Sequence, residues 1–360
     1  MRRVKLTDIC SPKQWKTIPT TDLLENGFPV YGANGIIGYY SEYNHENPVV
    51  AITCRGATCG TINITVPRSY VTGNAMCLDD VSPDVDLTYL YFCLLHYDFK
   101  KIISGSAQPQ ITRQGLEKVF LSIGTPAEQK SIVAVLSKTQ SIIQKRRIQL
   151  SALDDLIKAR FVELFGECRE SISAGDLMHN MRNGVSPSTR GKHHEKVLTL
   201  SAITQGQFDP NMWKDGMFDA IPAADKRICS TDFYMCRGNG NKSLVGAGVY
   251  SAEDRDDLVF PDTVIAASVD TTRVCLPYLF VAWMQPGIRE QIEAGARTTN
   301  GTYKINQQII SKIKVTLPHL SEQQQFAAFV AQIDKSKDAI KKSLAETQTL
   351  FDSLMQKYFG

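Results

Sequence analysis

The 360-residue sequence predicts an α+β chain in which two β-rich domains are joined by two long helices packed as an antiparallel coiled coil, with a pseudo-twofold internal repeat. Three observations predict this. Residues Ile111 to Gly166 align without a gap on Ile305 to Gly360, at a constant offset of 194. Within each copy runs a long stretch free of proline and glycine that carries a heptad pattern of apolar residues. Ahead of each stretch lies a block rich in Val, Ile, Thr and glycine, the composition of short strands and tight turns.

The elements follow in order. The first β-rich domain covers residues 1–124. Val49 to Cys54 and Thr61 to Val66 read as strands, punctuated by Gly32, Gly35, Gly38, Gly56, Gly60 and Gly73, and Leu87 to Tyr97 reads as a helix. Residues 125–166 form the first helical region. Thr125-Pro126-Ala127-Glu128 has the pattern of a capping box with proline at the first helical position. Steps of four and three then pick out Ile132, Leu136, Thr139, Ile143, Arg146, Leu150, Leu153, Ile157, Arg160 and Leu164.

Residues 167–318 form the second β-rich domain. Lys196 to Leu200, Phe233 to Cys236, Leu244 to Tyr250 and Thr263 to Ser268 read as strands, and Pro277 to Met284 and Gly287 to Ala294 as helices. Tyr278-Leu279 echoes Tyr89-Leu90. The second helical region, residues 319–360, repeats the seam as Phe326, Val330, Ile333, Lys337, Ile340, Leu344, Thr347, Phe351, Leu354 and Tyr358, with Ser321 and Gln324 as its expected cap. A helix of some 38 residues is about 57 Å long and must bury its apolar stripe, and each helix finds its match in the other.

Composition bounds the function. Lys plus Arg is 40 and Asp plus Glu is 37, a net charge of +3, which excludes a polybasic protein but not a binder with localised positive charge. No apolar run approaches the roughly 18 residues of a membrane span, and no apolar segment follows the charged start, so the expected setting is the cytoplasm. The nine cysteines are scattered without a CxxC. The separations of Cys54 from Cys59 and of Cys229 from Cys236 fit no zinc ribbon or finger, so neither a disulfide framework nor a metal is expected.

Catalytic signatures are missing. The sequence has no GxxxxGK[ST] phosphate loop, no GxSxG elbow, and no Asn/Asp-Pro-Pro-aromatic run. Gly238-Asn239-Gly240 and Gly246-Ala247-Gly248 complete no dinucleotide fingerprint, and His193-His194 reads as a solvated loop. What the sequence does hold is a recurring set of polar side chains on glycine-permitted turns. In the first domain these are Tyr31, Asn34, Arg55, Thr58, Asn74, Gln108 and Gln110. In the second they are Arg182, Asn183, Arg237, Asn239, Asn241, Lys242, Thr299 and Asn300. Arg suits guanine edges, Asn and Gln suit adenine edges, and glycine brings backbone N–H groups close to phosphate, so these residues are the candidate DNA-binding set.

With these residues in view, the whole chain resembles a specificity (S) subunit of a type I restriction-modification system. The resemblance rests on Val30-Tyr31-Gly32-Ala33-Asn34-Gly35, Ile52 to Gly60 and Thr72 to Met76, which look like its target-recognition domain. It also rests on Lys304-Ile305-Asn306 leading into Ile313, Pro318 and Glu322-Gln323, and more loosely on Arg237 to Gly240 and Leu244 to Gly246. The resemblance implies two target-recognition domains, each binding half of a bipartite asymmetric DNA site. It implies helices that space them and recruit two methyltransferase subunits for adenine methylation, with motor-nuclease subunits joining for restriction. It implies no catalysis and no cofactor in this chain, with S-adenosylmethionine, ATP and Mg in the partners. The expected helix interface is Ile132, Leu136, Ile143, Leu150, Leu153, Ile157, Phe326, Val330, Ile333, Ile340, Leu344 and Phe351. The alternative class is a non-catalytic coiled-coil scaffold that binds other proteins.

Overall fold

The computed structural model describes residues 1–105, 108–299 and 301–360. It divides into two compact units, Met1–Ile148 with Lys341–Gly360, and Gln149–Ile340. The long helices Pro126–Phe165 and Leu320–Phe359 are each 40 residues, and each gives one half to each unit.

In the first unit, strand Arg2–Lys5 pairs antiparallel with Phe120–Ile123. A four-stranded antiparallel sheet follows in the order Ser11–Gln14, Ala75–Asp79, Val50–Thr53, Ile62–Ile64. Its inner strands are apolar on both faces because each face is covered. Ile52, Met76 and Leu78 pack with Leu90, Phe92 and Leu94 of the helix Leu87–His96. Ala51, Ala75 and Cys77 alternate to the other face, against Tyr31 and Val71. Those two residues belong to a second sheet, the hairpin Phe28–Gly32/Gly35–Tyr40 with Tyr70–Val71 added parallel to its first strand.

The second unit repeats this plan. Ser171–Ser173 pairs with Lys314–Thr316. The four-stranded sheet has the equivalent order Met178–Asn183, Val264–Val269, Asp232–Cys236, Gly248–Tyr250. The second sheet again has a hairpin, His193–Leu198 with Trp213–Phe218, and a parallel neighbour, Arg255–Val259, now joined by Arg227–Ile228. The helices Leu276–Trp283 and Pro286–Gly295 lie where the sequence predicts them.

The entries to the long helices are duplicated in atomic detail. Gln129 is buried and accepts from the Asp86 N–H while donating to the carbonyls of Asp84 and Gly124. Gln323, at the same offset of 194, accepts from the Cys275 N–H and donates to the carbonyls of Arg273 and Pro318. The Tyr89 hydroxyl donates to the Ser122 carbonyl, and the Tyr278 hydroxyl to that of Thr316. Tyr89 packs edge-on against Phe359, the end of the second helix, whereas Tyr278 packs edge-on against Phe165, the end of the first. Each domain thus grips the helix that begins beside it and the tail of the other.

Within each unit the helix halves run antiparallel. In the second unit Lys337 Nζ meets Asp154 at 2.6 Å while Phe326 packs on Phe161 and Phe165. In the first, the Arg146 guanidinium donates to the Ser343 carbonyl and the Thr347 hydroxyl, and Leu136, Ile143 and Phe351 share one core. Of the expected seam positions, Leu164 alone is exposed, at 42%, while the nearby Phe161 and Phe165 are buried. A 3.6-residue turn drifts against a seven-residue repeat, which is why a seam extrapolated over five heptads slips at its end.

Several expectations need correction. The cap of the second long helix is not displaced to Ser321 and Gln324, because Glu322 accepts from the His319 N–H just as Glu128 accepts from that of Thr125. His193-His194 lies on a strand rather than a loop, and His194 pairs with Asp215 across the hairpin. Leu244 to Tyr250 is strand only from Gly248, since residues 242–244 form a 3₁₀ turn capped by the Asn241 side chain.

Candidate nucleic-acid interface

In the first unit, the chain leaving strand Val50–Thr53 gathers three other segments around it. The Thr53 hydroxyl donates to the Ala33 carbonyl, which fixes the tip of the Phe28–Tyr40 hairpin. The Cys54 N–H donates to the Asn74 carbonyl at 3.0 Å, and the Gly56 N–H to the Pro109 carbonyl at 3.1 Å. The Ile111 N–H closes the group on the Cys54 carbonyl, and Arg55 faces Gln110 across an isolated antiparallel bridge. Beneath this junction Gln14 Nε2 donates to the Gly73 carbonyl at 2.9 Å and to Cys54 Sγ at 3.0 Å. Burial pushes the Cys54 thiol above its ordinary range, so it stays a neutral packing group.

This junction brings together Asn34, Arg55, Gln108 and Gln110, all exposed, with Thr58 and Asn74 half-buried at its margin. Gly56 has φ +87°, and no atom lies within 4 Å of the point a Cβ would occupy, so its requirement is conformational and its outer face is open. The candidate residues therefore form one surface in this unit rather than seven separate turns. Tyr31 is the exception. It is 7% exposed, its hydroxyl accepts from the Val66 N–H, and its ring lies in the core between the sheets.

The second unit builds the same junction with different side chains. The Arg237 N–H donates to the Thr263 carbonyl at 2.8 Å, and the Ile305 N–H to the Arg237 carbonyl at 2.9 Å. Gly238 and Asn239 then pair with Lys304 and Tyr303. By this register Arg237 stands where Cys54 does, and the residue facing outward in the manner of Arg55 is Gly238. Arg237 is half-buried, and its guanidinium donates to the Asp262 carbonyl.

The exposed polar groups here are Asn241, Lys242 and, opposite Gly238, Lys304. Asn239 is half-buried and accepts from the Asn241 N–H. Thr299 lies in the strand Arg297–Thr299, which pairs with Thr302–Lys304, and Asn300 lies outside the described residues. Lys304 is absent from the candidate set, and its strand partner Arg297, which opens the polar segment Arg297 to Gly301, is exposed beside it. The repeat itself could have found Lys304, because the offset of 194 carries Gln110 onto it.

Arg182 and Asn183 do not join this surface. They lie on a strand rather than a turn, after a bulge in which Asn180 takes φ +49°. The Arg182 side chain is 10% exposed, and its guanidinium is held by the Asp232 carboxylate, the Asp225 carbonyl and the Ser268 hydroxyl. Those bonds leave no guanidinium edge for a base, so Arg182 serves the fold. Asn183 is half-buried, with its side-chain oxygen 3.5 Å from Gln307 Nε2.

No helix among the described residues is long and apolar enough to cross a membrane. All nine cysteines are free thiols.

Comparison with known proteins bears on this arrangement. The profile of the type I restriction modification DNA specificity domain matches residues 1–152 and 290–348, more than half of the chain. Over 128 residues the chain is 29% identical to the type I restriction enzyme EcoprrI specificity subunit of Escherichia coli, a match spanning 34% of this chain and 32% of that subunit. The fold is similar to that of the type I restriction-modification system S subunit from M. genitalium, with TM-score 0.63, 15% identity, and 100% and 96% of the two chains covered. It is also similar to a chain in a structure addressing complex assembly and conformational transition of the type I R-M system, with TM-score 0.53, 13% identity, and 99% and 96% covered.

Proposed function

The chain belongs to the type I restriction-modification DNA specificity family, and from that premise we propose that each β-rich domain reads one half of a bipartite, asymmetric DNA site. The observation that carries the proposal is the matched pair of junctions. Each collects polar side chains at the outgoing end of a central strand, on a frame whose hydrogen bonds recur in both units. Arg55, Gln108, Gln110 and Asn34 supply base-edge chemistry in the first domain. Lys304, Arg297, Lys242 and Asn241 supply a more cationic and phosphate-directed surface in the second. Unlike surfaces on a like frame favour unlike half-sites.

The division of labour follows from the same residues. In this reading the chain recognises DNA and leaves the chemistry to its partners. Adenine methylation falls to methyltransferase subunits that use S-adenosylmethionine, and restriction to motor-nuclease subunits that use ATP and Mg. The long helices recruit the methyltransferases and set the gap between half-sites. A net charge of +3 gives this chain a modest electrostatic grip, so its partners supply much of the affinity. Target adenines must leave the stack to react, so the readers must hold distorted DNA.

The test is duplex binding by the chain together with its methyltransferase partners, with each half-site scrambled in turn. Specific binding that depends on both halves is expected. Indifference to either half would favour a coiled-coil scaffold for other proteins. Removing one matched heptad from each long helix should shorten the preferred gap, and an unchanged gap would mean the helices are not the ruler.

A further inference from the structure

Between the two sheets of the first unit, Asp79 carries a carboxylate only 15% exposed, and His45 Nε2 stands 3.1 Å from its Oδ1. The protonation of His45 is constrained by its neighbour. Asn44 Nδ2 donates to the Val71 carbonyl at 3.0 Å while its Oδ1 accepts from the Val71 N–H at 2.9 Å, so the amide can point only one way. His45 Nδ1 lies 2.6 Å from that same Oδ1 and must therefore be the N–H donor. In the neutral ring Nε2 then presents a lone pair to the Asp79 carboxylate. Two oxygen and nitrogen lone pairs at that distance need either a proton or a metal cation between them.

The second unit shows how a buried carboxylate is satisfied nearby, although there Ser268 holds the place of Asp79 and the carboxylate comes from the neighbouring strand. There Asp232, 1% exposed, lies between the sheets and takes the Arg182 guanidinium and the Ser268 hydroxyl. Arg182 is paired across from Ala266, as Lys13 is paired across from Cys77 in the first unit. Lys13 does not reach Asp79. Its ammonium sits over the Trp15 ring at 3.7 Å, and Trp15 Nε1 donates to Asp79 Oδ2 at 3.2 Å. Among the described ion pairs, His45 is the sole partner of Asp79.

A third donor completes the group. Cys77 precedes Asp79 by two residues on the same strand, so their side chains share a face. Its sulfur, fully buried, lies within 4.8 Å of both His45 and Asp79 ligand atoms.

We infer that His45 Nε2, Cys77 Sγ and Asp79 Oδ1 form a divalent-metal site suited to zinc, which staples the loop before Val49 to the central strand. Imidazole, thiolate and carboxylate are zinc's donor set, and the 3.1 Å between nitrogen and oxygen is close to the edge of a zinc tetrahedron, about 3.3 Å for bonds of about 2.0 Å. The outer bonds are in place, with Asn44 orienting the imidazole and Trp15 the carboxylate. Binding converts the Cys77 thiol to a thiolate, releasing one proton to solvent as the ion sheds water. Without the ion, burial and the Asp79 charge hold that thiol protonated. The staple would steady the sheet whose hairpin carries Asn34.

The experiment loads the full chain with zinc or cobalt(II) after chelator treatment, then removes free metal. One ion per chain is expected, with a thiolate-to-cobalt charge-transfer band. Both should be lost in C77A and D79N, and retained in C168S, which removes a more accessible thiol. W15F, which deletes the outer bond to Asp79 and keeps an aromatic ring beside His45 and Lys13, should weaken binding about tenfold. No retained metal, or retention unchanged in C77A and D79N with the fold checked by circular dichroism, would overturn the site and leave a proton between His45 and Asp79.

Discussion

The two units differ least where they hold the long helices and most where they meet solvent. Gln129 and Gln323, Glu128 and Glu322, Tyr89 and Tyr278 make the same bonds in both. At the junctions the frame hydrogen bonds persist while the side chains change, Arg55 opposite Gln110 in one unit and Gly238 opposite Lys304 in the other. The hairpins diverge further. The first closes in the tight turn Ala33-Asn34, and the second spans residues 199–212 with a short helix at Ser201–Thr204. A shared frame with divergent tips is what a pair of readers for unlike sequences requires.

That comparison can be broken at the frame or at the tips. The largest effect is expected for R182A, which would strand the buried Asp232 carboxylate and cost about 3–5 kcal/mol of stability, read by thermal or urea denaturation. A small change would return Arg182 to the candidate readers. Q129A and Q323A each orphan one N–H and two carbonyls, and should each cost about 2–3 kcal/mol. Unequal losses would show that the duplicated bonds are not duplicated in energy.

The tips should behave in the opposite way. R55A should leave the melting temperature unchanged and cost about 1–3 kcal/mol in discrimination at one half-site, measured by competition binding of the partnered complex. K304A should weaken binding across sequences and flatten its salt dependence, because a lysine opposite glycine is better placed for phosphate than for a base edge. The smallest effect is expected at the helix entries, where E322A should cost about 1 kcal/mol.

How much of this the sequence revealed depended on the range of the interactions. The long helices and their seam were legible because an uninterrupted heptad and a gapless offset are local signals, and Thr125 with Glu128 is a complete box in four residues. The second cap was missed because His319 is not a typical cap residue, although the offset of 194 carries Thr125 and Glu128 onto His319 and Glu322. Tyr31 and Arg182 were misread for a related reason. Polar residues beside glycine or asparagine look like turn tips until a distant partner, Val66 or Asp232, is known. Conversely, Arg55 and Gln110 are 55 residues apart in sequence, and only sheet pairing shows that they form one surface.

Each domain should read its own half-site through its own junction. The most direct measurement maps methylated adenines across DNA from cells that carry the complete complex, with the native chain or with R55A. We predict a bipartite motif in which R55A relaxes one half while the other half and the gap are unchanged. Relaxation of both halves together, or a motif with no gap, would contradict independent reading by the two domains.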